Sequence, residues 1–159
     1  MASGSFILKG VNMPNWCNNE LRVSGPTDDI AKFKLQAVGH NPWEKPPKDE
    51  EPSKLNFHSL VPIPEHILKA GYVNTGYDWE LKNWGARWGA CDVELVDEGE
   101  DYLCYHFDTA WAPAVAFTSN VRLKWPTLTF VLDYDEPGMC FKGICKGLGD
   151  HFENHRIEY

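Results

Sequence analysis

A group of aromatic, amide and charged side chains carries the clearest binding chemistry in this sequence: Asn15, Trp16, Asn18, Tyr77, Asp78, Trp79, Asn83, Trp84, Arg87, Trp88 and Trp111. Indole rings that stack, beside amides and carboxylates that hydrogen-bond, are what a nucleotide or peptide pocket uses. The same residues can instead fill the space between helices and a sheet, with Asn and Asp closing helix ends. The sequence leaves both readings open. A second constellation centres on His106. If Asp97-Glu98-Gly99-Glu100-Asp101 is a five-residue hairpin loop, Leu95 pairs with Leu103, Val93 with Tyr105 and Cys91 with Phe107. His106 then stands opposite Asp92, on the face that also carries Glu94 and Asp108. Carboxylates beside an imidazole favour its charged form. Such a set can serve as a general acid or a weak metal site, or simply as an exposed cross-strand charge pair. The third candidate, Cys140-x4-Cys145-x5-His151-x3-His155, has the residue types for zinc but not the geometry. Cys140 and Cys145 differ by an odd number and face opposite sides of a continuous strand. No metal and no cofactor is therefore expected. Neither a glycine-rich phosphate loop nor a nucleophile elbow nor a glutamate pair is present, so no catalytic residue is nominated.

These residues need elements to position them. Asn19 to Ser24 alternates as a strand, ended by Gly25-Pro26. Thr27 is the expected N-cap of a helix of about ten residues that buries Ile30, Phe33 and Ala37 and stops at Gly39. His40 to Asn56, with four prolines among charged residues, reads as an exposed, mobile insertion. Phe57 to Leu68 returns to the body, with Val61-Pro62-Ile63-Pro64 extended along it. A short helix over Tyr77–Trp84, capped by Asp78, would put Tyr77, Leu81, Trp84 and Trp88 on one face. Gly85 weakens that helix beyond Trp84. Two strands follow, one through Cys91, Val93 and Leu95 and one through Leu103, Tyr105 and Phe107. Pro113 is expected to open a second long helix, whose stripe is Ala114, Phe117 and Val121. Leu128 to Leu132 and Met139 to Cys145 form a final hairpin, and the polar tail to Tyr159 is unassigned. The order is that of an α+β protein with a ferredoxin-like split β-α-β sandwich, an antiparallel sheet and an extra C-terminal edge strand. Helices would cover one sheet face and leave the other for binding.

Composition narrows the function. The chain has 159 residues, consistent with one domain over 13–159 and a short arm over 1–12. A net charge of −8 argues against direct nucleic-acid or anionic-membrane binding, which need clustered Lys and Arg. Five scattered cysteines are no disulfide framework and point to a reducing, cytoplasmic setting. No apolar run is long enough to span a membrane.

Four ordered motifs then carry a resemblance. Met13-Pro14-Asn15-Trp16-Cys17-Asn18-Asn19 opens the first strand, followed by Val23-Ser24-Gly25-Pro26. Tyr77-Asp78-Trp79 precedes Asn83-Trp84-Gly85 and Trp88. Asp108-Thr109-Ala110-Trp111-Ala112-Pro113 joins strand to helix, and Tyr134-Asp135-Glu136-Pro137-Gly138 lies in the last hairpin. From Met13 to Cys145 the chain resembles the Api-like phage and plasmid proteins with a YubB-type ferredoxin-like domain. The resemblance implies the fold and a mobile-element origin but no activity. With the acidic balance, it makes the expected function a non-enzymatic binding module that inhibits a host protein complex, such as a defence nuclease. The expected contact surface is the open sheet face and the acidic hairpin of Glu94, Asp97, Glu98, Glu100 and Asp101. The alternative is a sponge that sequesters a nucleotide signal in a Trp-rich pocket beside Trp84 and Trp111.

Overall fold

The computed structural model describes residues 13–159, so the expected arm lies outside the described residues. Strand β1 spans Trp16–Ser24, three residues earlier than the alternation suggested, and buries Cys17, Asn19, Leu21 and Val23. Helix α1 is Thr27–Gln36, with Asp28 and Asp29 in its first turn and Ile30 and Phe33 buried. Thr27 is its first helical residue, not its cap; Pro26 holds the cap position and no side chain bonds there. Gly39 is not the stop either. The helix closes at Ala37, and Gly39 forms an isolated bridge to Ser53. That bridge ties the base of the insertion, and two side chains pin it further. Leu55 is fully buried, and the half-buried Trp43 ring packs edge-on against Tyr72 at 5.4 Å.

Val61 and Ile63 are buried as expected, but short helices α2 (Phe57–Leu60) and α3 (Glu65–Ala70) flank them. A wide π turn over Tyr72–Gly76 runs directly into α4, Tyr77–Asn83. Because the chain is already helical at Gly76, Asp78 sits inside the first turn and caps nothing with its side chain. The inward face of α4 carries Glu80, while Leu81 is 39% exposed. Trp84 follows at 2% exposure and donates its indole N–H to the Val61 carbonyl at 3.0 Å. Gly85 then turns the chain at φ +87°, where an added Cβ would meet the Pro113 carbonyl at 2.9 Å. That turn ends the helical stripe before Trp88.

Strands β2 (Arg87–Glu98) and β3 (Tyr102–Ala110) form the expected hairpin, in a different register. The loop is Gly99-Glu100-Asp101, and Glu98 pairs with Leu103, Leu95 with Tyr105, Glu94 with His106 and Cys91 with Asp108. Three register shifts interrupt the ladder, and two residues of β2 other than glycine, Trp88 (φ +69°) and Asp92 (φ +49°), are left-handed there. Bulges of this kind add residues that simple alternation does not count. Helix α5 is Val115–Lys124, starting two residues after Pro113, and buries Phe117, Thr118 and Val121. Strand β4 is Thr129–Glu136 and β5 is Phe141–Leu148. The tail is not irregular: His151–Glu158 forms β6 against β5.

The six strands lie in the order β2-β3-β1-β4-β5-β6, every neighbour antiparallel. The first four have the ferredoxin-like order, and β5 and β6 extend the sheet beyond it. Residues from α1, α2 and α5 pack on one face around Phe33, Phe57, Phe117 and Phe130, with Phe57 and Phe117 stacked at 3.9 Å. Among the described residues, no helix is long and apolar enough to cross a membrane.

Candidate functional site

The face away from the helices is an open trough of about 940 Å³. Strand pairing builds it in rows. Glu94, His106, Glu20, Asp133, Ile144 and His155 stand side by side across the sheet, from β2 to β6. The next row runs through Asp108, Asn18, Asp135, Lys142 and Ile157. Asp92, turned by its bulge, completes the lining. The carboxylates of Glu20, Asp92, Glu94, Asp108, Asp133 and Asp135 thus share one surface with a single lysine and two histidines.

His106 is not opposite Asp92. It faces Glu94 on one side and on the other shares a 2.7 Å hydrogen bond between its Nε2 and Glu20 Oε2. Glu20 Oε1 accepts from Arg22 at 2.6–2.7 Å. The His106 bond first, and then Arg22, hold the Glu20 carboxyl below the usual glutamate range. Glu20, Cys104 and His106 bring their donor atoms within 4.8 Å of one another. Both Glu20 oxygens are nevertheless engaged, so the set is a closed hydrogen-bond network. Asp108 has its pKa raised, mainly by burial and secondly by Asp92. Among the described residues, Asp92, Glu94, Asp108, Asp133 and Asp135 pair with no base, and Asp135 accepts only from the Tyr159 hydroxyl at 2.7 Å. They form the unneutralised floor of the trough.

The acidic hairpin divides. Glu94 belongs to the trough, whereas Glu98 and Glu100 line a separate, smaller depression beside α1. Glu98 is paired with Lys34 at 2.6 Å, and Asp97 accepts from the Tyr102 hydroxyl at 3.2 Å.

The aromatic group divides too. Arg87 lies over the Tyr77 ring at 3.7 Å and near Trp111 at 5.1 Å, and Trp88 packs against Trp111 at 5.8 Å. All four are half-buried. Both tryptophans are left-handed, Trp111 at φ +62°, an outlier for so bulky a residue. Glu80 helps hold this geometry: its Oε2 accepts the Trp88 backbone N–H at 3.3 Å. Burial pushes the Glu80 carboxyl up to about 7, against the opposing effect of that hydrogen bond. Around it the Trp43 indole N–H and the Tyr72 hydroxyl are buried without hydrogen bonds. The remaining candidates lie outside this stack. Trp79 packs edge-on to Trp84 at 5.6 Å, and Asn83 donates to the Trp79 carbonyl at 2.9 Å. The Asn15 carbonyl receives the Trp111 N–H at 2.8 Å, and Trp16 stands beside Ala110 on β1. Of the candidate amides Asn15, Asn18 and Asn83, Asn18 lines the trough. Cys145 is buried on the helix side while His151 and His155 sit on the open side of β6, so the cysteine–histidine set does not converge.

Glu20, Asp133 and Lys142 are trough residues that no local pattern marks, and the motifs that contain Asp135 and His155 do not point to the trough. They meet only through pairings between distant strands. Glu80 gave one signal, its place one turn before Trp84 on the inward side of α4.

No family model matches the chain, and no curated protein sequence does. The crystal structure of the protein Api92 from Yersinia pseudotuberculosis, of the family model DUF1281, is similar in fold. It aligns with a TM-score of 0.70 over 92% of this chain and 98% of that one, at 11% identity. At that identity the likeness is one of architecture.

Proposed function

We propose that this chain is a non-enzymatic binding module whose acidic trough receives a basic surface of a host protein complex. A defence nuclease fits best, because its nucleic-acid channel is lined with Lys and Arg. The Api-like, YubB-type resemblance supports an origin in a phage or plasmid and work in the host cytoplasm. One observation carries the reading: five carboxylates on an open sheet face pair with no base among the described residues. Such a surface is repulsive to itself and complementary to a cationic partner.

The test is a host-lysate pull-down with three folded baits. Wild type should retain a basic complex at low salt and release it at high salt. Glu94→Lys with Asp133→Lys should abolish retention, and Glu100→Lys with Asp101→Lys on the hairpin should leave it intact. Empty beads at low salt with a folded wild-type bait would overturn the reading.

A second reading, the nucleotide sponge, is favoured by the stack of Tyr77, Arg87, Trp111 and Trp88, which offers rings and a cation together. The trough, however, lies on the sheet face rather than beside Trp84, whose ring is core. A thermal-shift screen with nucleotides separates the two. A ligand at ~100 times its Kd adds about 2.7 kcal/mol, and unmoved melting disposes of the sponge.

A further inference from the structure

The two ends of the sheet are built differently. At one end β2 is broken by three register shifts and carries left-handed residues, which spoil its outer edge as a pairing template. At the other end β6 runs without a shift from Phe141↔Glu158 to Leu148↔His151 and contains no proline. Among the described residues, no strand pairs with its outer side. The phase of that side is fixed by one bond. The Tyr159 N–H donates to the Cys140 carbonyl at 2.9 Å, in line with the β5–β6 ladder. Hydrogen-bonded pairs alternate along an antiparallel ladder. Odd-numbered residues of β6 therefore turn their main chain toward β5, and Phe152, Asn154, Arg156 and Glu158 turn N–H and C=O outward.

We propose that β6 pairs antiparallel with β6 of a second copy of this chain, on a two-fold axis through Asn154. The axis must be perpendicular to the sheet, so residues opposite one another share a face and the sum of their numbers is even. Overlap and charge then select the register, because centring on Phe152 or Ile157 pairs only three residues of each β6 strand. Centring on Glu153 or on Arg156 sets like residues face to face, which is destabilising for charges. Centring on His155 opposes two imidazoles and leaves Glu153 against Ile157. Centring on Asn154 sets Glu153 opposite His155 and Phe152 opposite Arg156, each twice. Arg156 already lies 3.7 Å over the Phe141 ring, so its guanidinium is at aromatic height on that face. The joined sheet has twelve strands, and because His155 and Ile157 line the trough, the troughs of the two copies meet at the axis.

The experiment uses the full chain. Sedimentation equilibrium should give a concentration-dependent dimer, and Glu153→Lys, which faces His155 and lies in no core, should weaken it about tenfold. In a Cys140→Ser background, mild oxidation should cross-link Asn154→Cys to itself, because hydrogen-bonded partners stand about 5.5 Å apart at Cα, within disulfide range. His155→Cys should not cross-link. A wild-type monomer at all concentrations, or cross-linking at position 155 in preference to 154, would overturn the proposal.

Discussion

Trp84 and Trp88, four residues apart, have opposite duties. Trp84 is 2% exposed, hydrogen-bonded and packed edge-on to Phe57 and Trp79. Trp84→Ala should cost about 3–5 kcal/mol, read from the denaturant midpoint. Trp88 is half-buried and strained, so Trp88→Ala should cost clearly less; equal losses would refute the assignment. The sequence already separated this pair, because Gly85 breaks the helical stripe between them. It did not reveal Glu80, since a glutamate on a short helix ordinarily faces water. Glu80 also makes a pH prediction. Its carboxyl titrates near 4.5 unfolded and near 7 folded, so the folded state holds the proton longer. Its share of stability is full below about 4.5 and is lost as pH rises toward and through 7, a difference of about 3 kcal/mol. Glu80→Gln should gain on wild type by that order between pH 4.5 and 8. Parallel curves for the two proteins would show that Glu80 is ionised throughout.

At the scale of elements, strands with one buried face were legible and those without were not. β1, β3 and β4 alternate because the core takes every second side chain, and the ferredoxin-like order followed from them. The β2–β3 register was not legible. Bulges at left-handed residues add positions without leaving any mark in the hydrophobic pattern. β6 was invisible because seven of its eight residues are exposed, so neither face demands apolar side chains. The tight β4–β5 turn offers a test of its own. Cys140 is exposed and left-handed at φ +58°, a conformation costing an L-residue about 1–2 kcal/mol. Cys140→Gly relieves that strain at some entropic cost in the unfolded chain. A net rise in stability of up to about 1 kcal/mol should appear as a higher Tm, and a lower Tm would show that the thiol's contact with Pro137 matters more.

The molecule as a whole is a helix-covered sheet with charge of one sign gathered on its free side. Like charges that close repel in the folded state more than in the unfolded one. Modest salt should therefore raise the melting temperature of the free protein near pH 7, and Asp133→Lys should shrink that rise while also weakening partner capture. An unchanged salt response in the variant would mean that the trough carboxylates do not feel one another. Asp92, Glu94, His106 and Asp108 could be read onto this surface from the alternation of one hairpin, but the rest could not, since its rows combine six strands spread from Asn18 to Ile157. The same topology governs how the chain is made. β1 is central, yet both its neighbours, β3 and β4, lie in the later part of the chain. The ribosome completes β1 at Ser24 and β4 at Glu136, 112 residues later. At ~5–20 residues per second, β1 waits roughly 6–22 s before both its neighbours exist. Of the six described strands, the earliest made is thus among the last to be paired on both sides, and that interval is when this domain is most exposed to chaperones and proteases.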